Sequence, residues 1–402
     1  MKKLIFLLIP ILLLSGCTGN NLNTQTKSKS QSNEQYVKAV WITYYELQDF
    51  IEDKSESKFT DKISSVFSDL KDKGFNTVTV QVRPCADAFY RSKYFPSSKY
   101  CFGFQGADMA YDPFEIICAQ AQNQGLKIEA WINPYRVSQN NKISELCDDN
   151  IAKKWYNSKD KKSYVYIGKS SIYFNPAADE VKTLIVNGVK EIVSSYPVNA
   201  IHFDDYFYPS KDKKIDSIQY NEYTDSGGEL SLADWRRDNV SDMVSRVYKT
   251  IKSVNKNVSF GISPASDIEN DYSSLYADVE KWCTADGYID YICPQIYFGF
   301  KNENQPFMQT VKKWVSLSEK TLYVGLPLYK CSKEDKYASS SDKAAVKEFI
   351  NNHNIISRQI NYLGKIEDIK GFYIFSYSNL YDKDKAQEVE NLLSAMQNSS
   401  QN

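Results

Sequence analysis

PFEIICAQAQNQGLKIEAWINP, residues 113–134, joins a helix to a strand through one glycine. Pro113 has its φ preset for a first helical turn, and Phe114, Ile117, Cys118 and Ala121 return at helical spacing to one face. Gly125 can take the left-handed conformation that ends a helix. After it the pattern becomes alternation: Ile128, Ala130 and Ile132 fall on one side, Glu129, Trp131 and Asn133 on the other. An amphipathic helix feeding such a strand is half of a parallel βαβ unit.

Outward from this stretch the unit recurs. Strands are expected at VWIT (40–43), NTVTVQVR (76–83), KIEAWINP (127–134), AIHFDDY (200–206), VSFGISP (258–264), DYICPQIY (290–297), TLYVGLPL (321–328) and GFYIFSYS (371–378). Helices are expected at 62–73, from Pro113 to the Gly125 stop, and at 177–196, 232–253, 275–285, 307–318, 342–351 and 383–396. A doubly wound open sheet could use the same elements, but no glycine-rich nucleotide loop follows the first strand. Eight units filling the chain predict an α/β fold of the (β/α)8 TIM-barrel type over residues 37–402.

Ahead of the barrel, Lys2 and Lys3 precede an apolar run over 4–14, then Ser15, Gly16 and Cys17. The run is too short for the roughly 20 residues of a membrane-spanning helix and has the layout of an export signal. LSGC resembles the lipobox of bacterial lipoproteins, so residues 1–17 are expected to be a signal peptide ending in a lipidated Cys17. Residues 18–36 are almost wholly polar and form a tether. The barrel is then expected outside the cytoplasm, held to the membrane by its N-terminal lipid. Losing the leader moves the net charge from −1 to −3, which gives no electrostatic case for nucleic acid. Seven further cysteines include no CxxC pair, although Cys85 and Cys101 flank one loop and could be bridged. Two histidines exclude a histidine-rich zinc centre, a carboxylate-only calcium site is unsupported, and no cofactor is expected.

Barrel enzymes place their ligand groups at the C-terminal ends of strands. Strand parity turns Gln81 and Arg83 inward on the second strand, Glu129, Trp131 and Asn133 on the third, and His202 and Asp204 on the fourth, with Asp205 and Tyr206 at the rim. The fifth offers Ser263 and the sixth Gln295 and Tyr297. Gln81, Glu129 and His202 also fit an inner polar layer, Glu129 lying about 13 Å below the rim. Carboxylates, an arginine, amides and 14% aromatics suit a sugar site. Cleaving a glycosidic bond usually takes two carboxyls, about 5 to 5.5 Å apart for retention or 6.5 to 9.5 Å for inversion. Asp204 is the first choice. Asp87 is the expected second, Asp205 its runner-up, and Asp267 and Glu269 are weaker.

QVRPCADAFY (81–90), YDPFEIICAQAQNQGLKIEAWINPYRVS (111–138), NAIHFDDYFYP (199–209), WRRDNV (235–240), FGISP (260–264) and DYICPQIY (290–297) together resemble the glycosyl-hydrolase-like ten family. The resemblance implies a (β/α)8 glycoside hydrolase, often exported and lipid-anchored, acting in bacteria on cell-wall glycan. It marks Arg83, Asp87, Asn133, Arg136, Asp204, Asp205, Arg236, Arg237, Asn239, Gln295 and Tyr297 as motif positions. Cys85 and Ala86 stand where the family shows Gln-Gly, Glu129 where it shows histidine, and ASD (265–267) where it shows Phe-Gly-Ile. The expected activity is cleavage of peptidoglycan sugar strands by carboxylate acid/base chemistry. Arg83, Asn133, Arg136, His202, Tyr206, Ser263, Gln295 and Tyr297 would bind the glycan. The competing reading is a non-catalytic carbohydrate-binding or structural surface lipoprotein.

Overall fold

The computed structural model describes residues 35–51 and 55–398; Cys17, the leader and the tether up to residue 34 lie outside them. Eight parallel strands close a barrel in chain order: β1 (Val37–Ile42), β2 (Thr77–Arg83), β3 (Lys127–Ile132), β4 (Ala200–Phe203), β5 (Ser259–Ile262), β6 (Tyr291–Ile292), β7 (Thr321–Leu326) and β8 (Ile369–Ile374), which pairs back to β1. The helices α1 (Glu56–Asp72), α2 (Pro113–Asn123), α3 (Asp179–Ser195), α4 (Leu232–Val254), α5 (Val279–Thr284), α6 (Phe307–Leu317), α7 (Ile355–Leu363) and α8 (Ala386–Asn398) each follow one strand. This is the expected TIM barrel.

The helix–strand unit of the third strand forms as its residues dictate. Asp112 caps α2 by accepting from the Phe114 and Glu115 amides, Phe114, Ile117, Cys118 and Ala121 are buried, and Gly125 turns at φ +63°. β6 is short because Pro294 has no N–H to give the ladder; Gln295 resumes it with single bridges to Ala265 and Gly325.

One expectation needs correction. The 342–351 segment yields only single turns, Lys343–Val346 and Glu348–Asn351, and the helix after β7 is α7, whose Ile355, Ile356, Ile360 and Leu363 form the buried stripe. The connection from β3 to α3, on which the sequence reading made no statement, carries an antiparallel sheet of Arg136–Ser138, Ile172–Phe174 and Val165–Ile167.

Outward residues such as Val78, Val80, Ile128, Ala130 and Ile201 pack under the helices, and the barrel interior is partly polar. Glu129 accepts from Thr79 Oγ1 at 2.7 Å and Tyr373 OH at 2.9 Å. His202 Nε2 accepts from Trp41 Nε1 at 3.3 Å, and Nδ1 meets Tyr291 OH at 3.0 Å. Burial lowers His202 to about 3, so it is neutral and its 3.8 Å approach to Glu129 is no ion pair.

Gly261 on β5 exists for this layer: a Cβ there would lie 2.0 Å from the Tyr291 ring. Gly261→Ala must push that ring off His202. Overpacking of this kind typically costs about 1–3 kcal/mol. A lowered thermal melt is the expected result, and an unchanged melt would mean that the interior repacks freely.

Candidate active site

The C-terminal strand ends open into a cavity of about 490 Å³. β4 stops at Phe203, so strict alternation lapses there, and Asp204, Asp205 and Tyr206 all reach its wall. Gln81, Trp131, Gln295 and Tyr297 join them from β2, β3 and the end of β6, and Arg136 and Gln139 come from the inserted sheet and its edge. Aromatic side chains line much of the remainder. Tyr44 and Tyr45 follow β1, their rings 4.0 Å apart. Tyr297, Tyr329 and Phe375 pack against one another at 5.6 to 5.9 Å. Tyr45, Tyr206 and Tyr337 are 53%, 46% and 71% exposed at the mouth, so ring faces are available to a ligand.

Asp204 is buried. Its Oδ2 accepts from Trp131 Nε1 at 2.9 Å and Asn133 Nδ2 at 3.1 Å, and its Oδ1 from the Tyr206 amide at 3.2 Å. Burial and then the neighbouring Asp205 charge raise it to about 7, against the pull of Arg136 and of the donors. Asp205 Oδ1 accepts from Gln295 Nε2 at 3.2 Å, and burial raises this carboxyl also. The same Gln295 amide donates to the Ser263 carbonyl at 2.9 Å, which fixes its direction. Arg136 Nε donates to the Pro84 carbonyl at 3.0 Å, and its guanidinium lies 4.8 Å from the Tyr206 ring centre. Lys330, the other cation on the wall, is paired with Asp335 at 2.7 Å.

Of the residues expected from sequence, Asp204, Asp205, Arg136, Tyr206, Gln295 and Tyr297 line one cavity, and Asn133 stands behind Asp204 and holds it. Four others do not line it. Arg83 faces away: the β2–β3 register skips Val82, a bulge that turns Arg83 outward, where its guanidinium lies 4.5 Å from the Phe95 ring. There burial lowers it to about 10. Asp87 is buried to the side, accepting from Gln105 Nε2 at 3.0 Å, and is raised by burial to about 6. His202 belongs to the inner layer below, and Ser263 is buried with its carbonyl serving Gln295.

Asp267 caps the short helix Ile268–Ser273, accepting from the Glu269 and Asn270 amides. Arg237 pairs with Asp234, and Asn239 links Lys182 to the Trp235 carbonyl. Sequence reasoning missed Asp271. It is fully buried, and burial and then Asp205 push it well up against a backbone donor at Ala265. Its only sequence signal was membership of an acidic stretch after β5, which folds as that short helix. Cys85 and Cys101 are both free thiols.

The glycosyl hydrolase-like 10 family model matches residues 36–341. Glycosyl hydrolase YngK of Bacillus subtilis is 33% identical over 380 residues, 88% of this chain and 70% of that protein. Glycosyl hydrolase DigH of Escherichia coli K12 is 33% identical over 288 residues, covering 65% of this chain and 64% of its own length. Among solved structures, alpha-L-fucosidase isoenzyme 2 from Paenibacillus thiaminolyticus superposes with a TM-score of 0.55 at 11% identity, over 90% of this chain and 49% of that one, a likeness of fold alone.

Because the neighbouring Asp205 charge helps to raise Asp204, removing that charge has a definite sign. Carboxyl-carbon NMR of the Asp204 side chain should give a midpoint near 7, and Asp205→Asn should lower it toward the ordinary carboxylate range. A midpoint unmoved by Asp205→Asn would show that burial alone sets it.

Proposed function

Because the chain belongs to the glycosyl hydrolase-like 10 family and is a glycoside hydrolase acting on carbohydrate, we propose that its substrate is the glycan of bacterial peptidoglycan and that Asp204 and Asp205 are its acid/base pair. The observation that carries the assignment is two differently held carboxyls on one cavity wall, with Asp87 outside it. Asp204 Oδ2 already accepts from two side chains, so the proton that burial retains near neutral pH sits on Oδ1. From there it passes to the glycosidic oxygen of a bound sugar, and the bond to the anomeric carbon breaks. Asp205, directed by Gln295, supports the positive charge that develops on the sugar ring and takes a proton from the water that adds to the anomeric carbon, so that a bond to water replaces the bond to the departing sugar. Tyrosine faces at the mouth hold neighbouring sugars, and Arg136 and Gln139 meet their polar groups.

Location supports the choice of glycan. The basic and apolar leader with LSGC at Cys17 directs the chain out of the cytoplasm and anchors it by lipid beside the cell wall. Among the described residues no helix is long and apolar enough to cross a membrane.

The full chain in detergent, incubated with purified peptidoglycan with and without stem peptides, should release sugar fragments identifiable by mass spectrometry. Retention of glycan with no fragments would instead fit a binding protein. Asp204→Asn should cut turnover by about 100-fold to 10,000-fold while the thermal melt stays near wild type. With Asp204 as the acid, the wild-type rate must fall as pH rises through about 7, since the protonated form is the active one. Turnover of the variant within a few-fold of wild type would remove Asp204 from the chemistry.

Cys17→Ala should abolish both fatty-acid labelling and detergent-phase partitioning. Equal labelling of the two forms would refute the anchor.

A further inference from the structure

Arg236, from the WRRDNV segment of α4, has no place in the chemistry just described, yet it is fully buried. Its Nε donates to Asp216 Oδ2 at 2.7 Å and its Nη2 to Asp216 Oδ1 at 2.6 Å, a two-pronged pair with both side chains out of solvent. Nη2 also donates to the Asp212 carbonyl at 2.8 Å, and Nη1 to Tyr276 OH at 3.1 Å. The rings of Tyr208 and Tyr276 each lie 5.0 Å from the guanidinium, and Tyr208 OH donates to Asp216 Oδ2 at 2.9 Å.

Tyr208, Asp212 and Asp216 all belong to the segment that leaves β4, the one that begins with Asp204, Asp205 and Tyr206. Its far side is tied as well: the Tyr208 amide donates to the Leu275 carbonyl at 3.3 Å, and Tyr166 of the inserted sheet donates to Asp212 Oδ2 at 3.0 Å. A buried ion pair is a poor device for stability alone, since apolar side chains of like volume often do as well or better. What a planar fork adds is direction, and four of the six contacts around it land on this segment.

We infer that Arg236 is a positioning residue, which through Asp216 and Tyr208 fixes the segment after β4 and so sets where Asp204 and Asp205 stand in the cavity. The inference rests on the acid/base assignment of that pair. Misplacement of a reacting group by about 1 Å can cost on the order of 100-fold in rate, so a loosened segment should show in kcat more than in substrate binding.

The test pairs Arg236→Met with Asp216→Leu, which removes both charges together and leaves neither buried alone, and sets beside it Arg236→Lys, which keeps charge but not the fork. Amide hydrogen exchange in the full chain is followed over 204–216, with α4 and the barrel strands as internal reference, together with kcat, KM and the pH profile on peptidoglycan. The expected result is exchange faster by about tenfold or more in 204–216 alone, kcat lower by about tenfold or more with KM within a few-fold, and an alkaline limb displaced from its wild-type position. If the double variant does not fold, Arg236→Lys is read by the same measures. Unchanged exchange, or faster exchange with unchanged kcat and pH profile, overturns the inference. Faster exchange in a protein whose wild type releases no sugar upholds the clamp on the segment and defeats the peptidoglycan reading instead.

Discussion

A carboxyl in the middle of the barrel, Glu129, organises what lies above it. It is buried and raised by that burial to about 7, and hydroxyls from β2 and β8 satisfy it. An unsatisfied polar group there would cost more than the hydrogen bonds return, so Thr79 and Tyr373 must face the axis and the registers of their strands are set accordingly. Tyr373 stacks on His202, which holds Trp41 and Tyr291. The next inward positions upward are Trp131 on β3 and Asp204 beyond β4, joined by a hydrogen bond of 2.9 Å. The direction of the proposed acid is thus inherited from the layer beneath it.

Strand count, strand order and most inward faces were legible in the sequence, because alternation and helical spacing record which face is buried. Alternation failed at two places, both at strand ends. The bulge at Val82 turned Arg83 from the cavity to the outer layer, and nothing in QVRP distinguishes a bulged strand from a regular one. Beyond Phe203 the chain leaves the ladder, so Asp205, which strict parity would aim away from Asp204, shares its cavity. The site sits where the period stops applying. For that reason parity aimed Asp204 at the cavity but gave no such direction for Asp205.

The helices show the same division. α2 was readable from its cap, its stripe and its glycine, which act within a few residues of one another. α7 was expected instead at 342–351, where Ala345, Val346, Phe349 and Ile350 also recur at helical spacing although the chain makes only two single turns. The inserted sheet was unreadable for a different reason: three-residue strands have no period to detect, and Arg136–Ser138 finds its partner Ile172–Phe174 only across a long stretch of chain.

Raised carboxyls do not by themselves mark the site in this barrel. Glu129 and Asp204 both reach about 7 and Asp87 about 6, with burial the first cause in each. What separates them is access and the use of their lone pairs. Glu129 is satisfied by hydroxyls inside the barrel, and Asp87 faces Gln105, whose Oε1 accepts in turn from Asn150 at 3.2 Å. Asp204 alone of the three lies on the cavity wall, with one oxygen held by two side-chain donors and the other facing only a backbone amide. A carboxyl that is to give up a proton needs one oxygen fixed and one free to approach its acceptor. Perturbation of this kind is common wherever carboxyls are buried, and reach decides which of them can do chemistry.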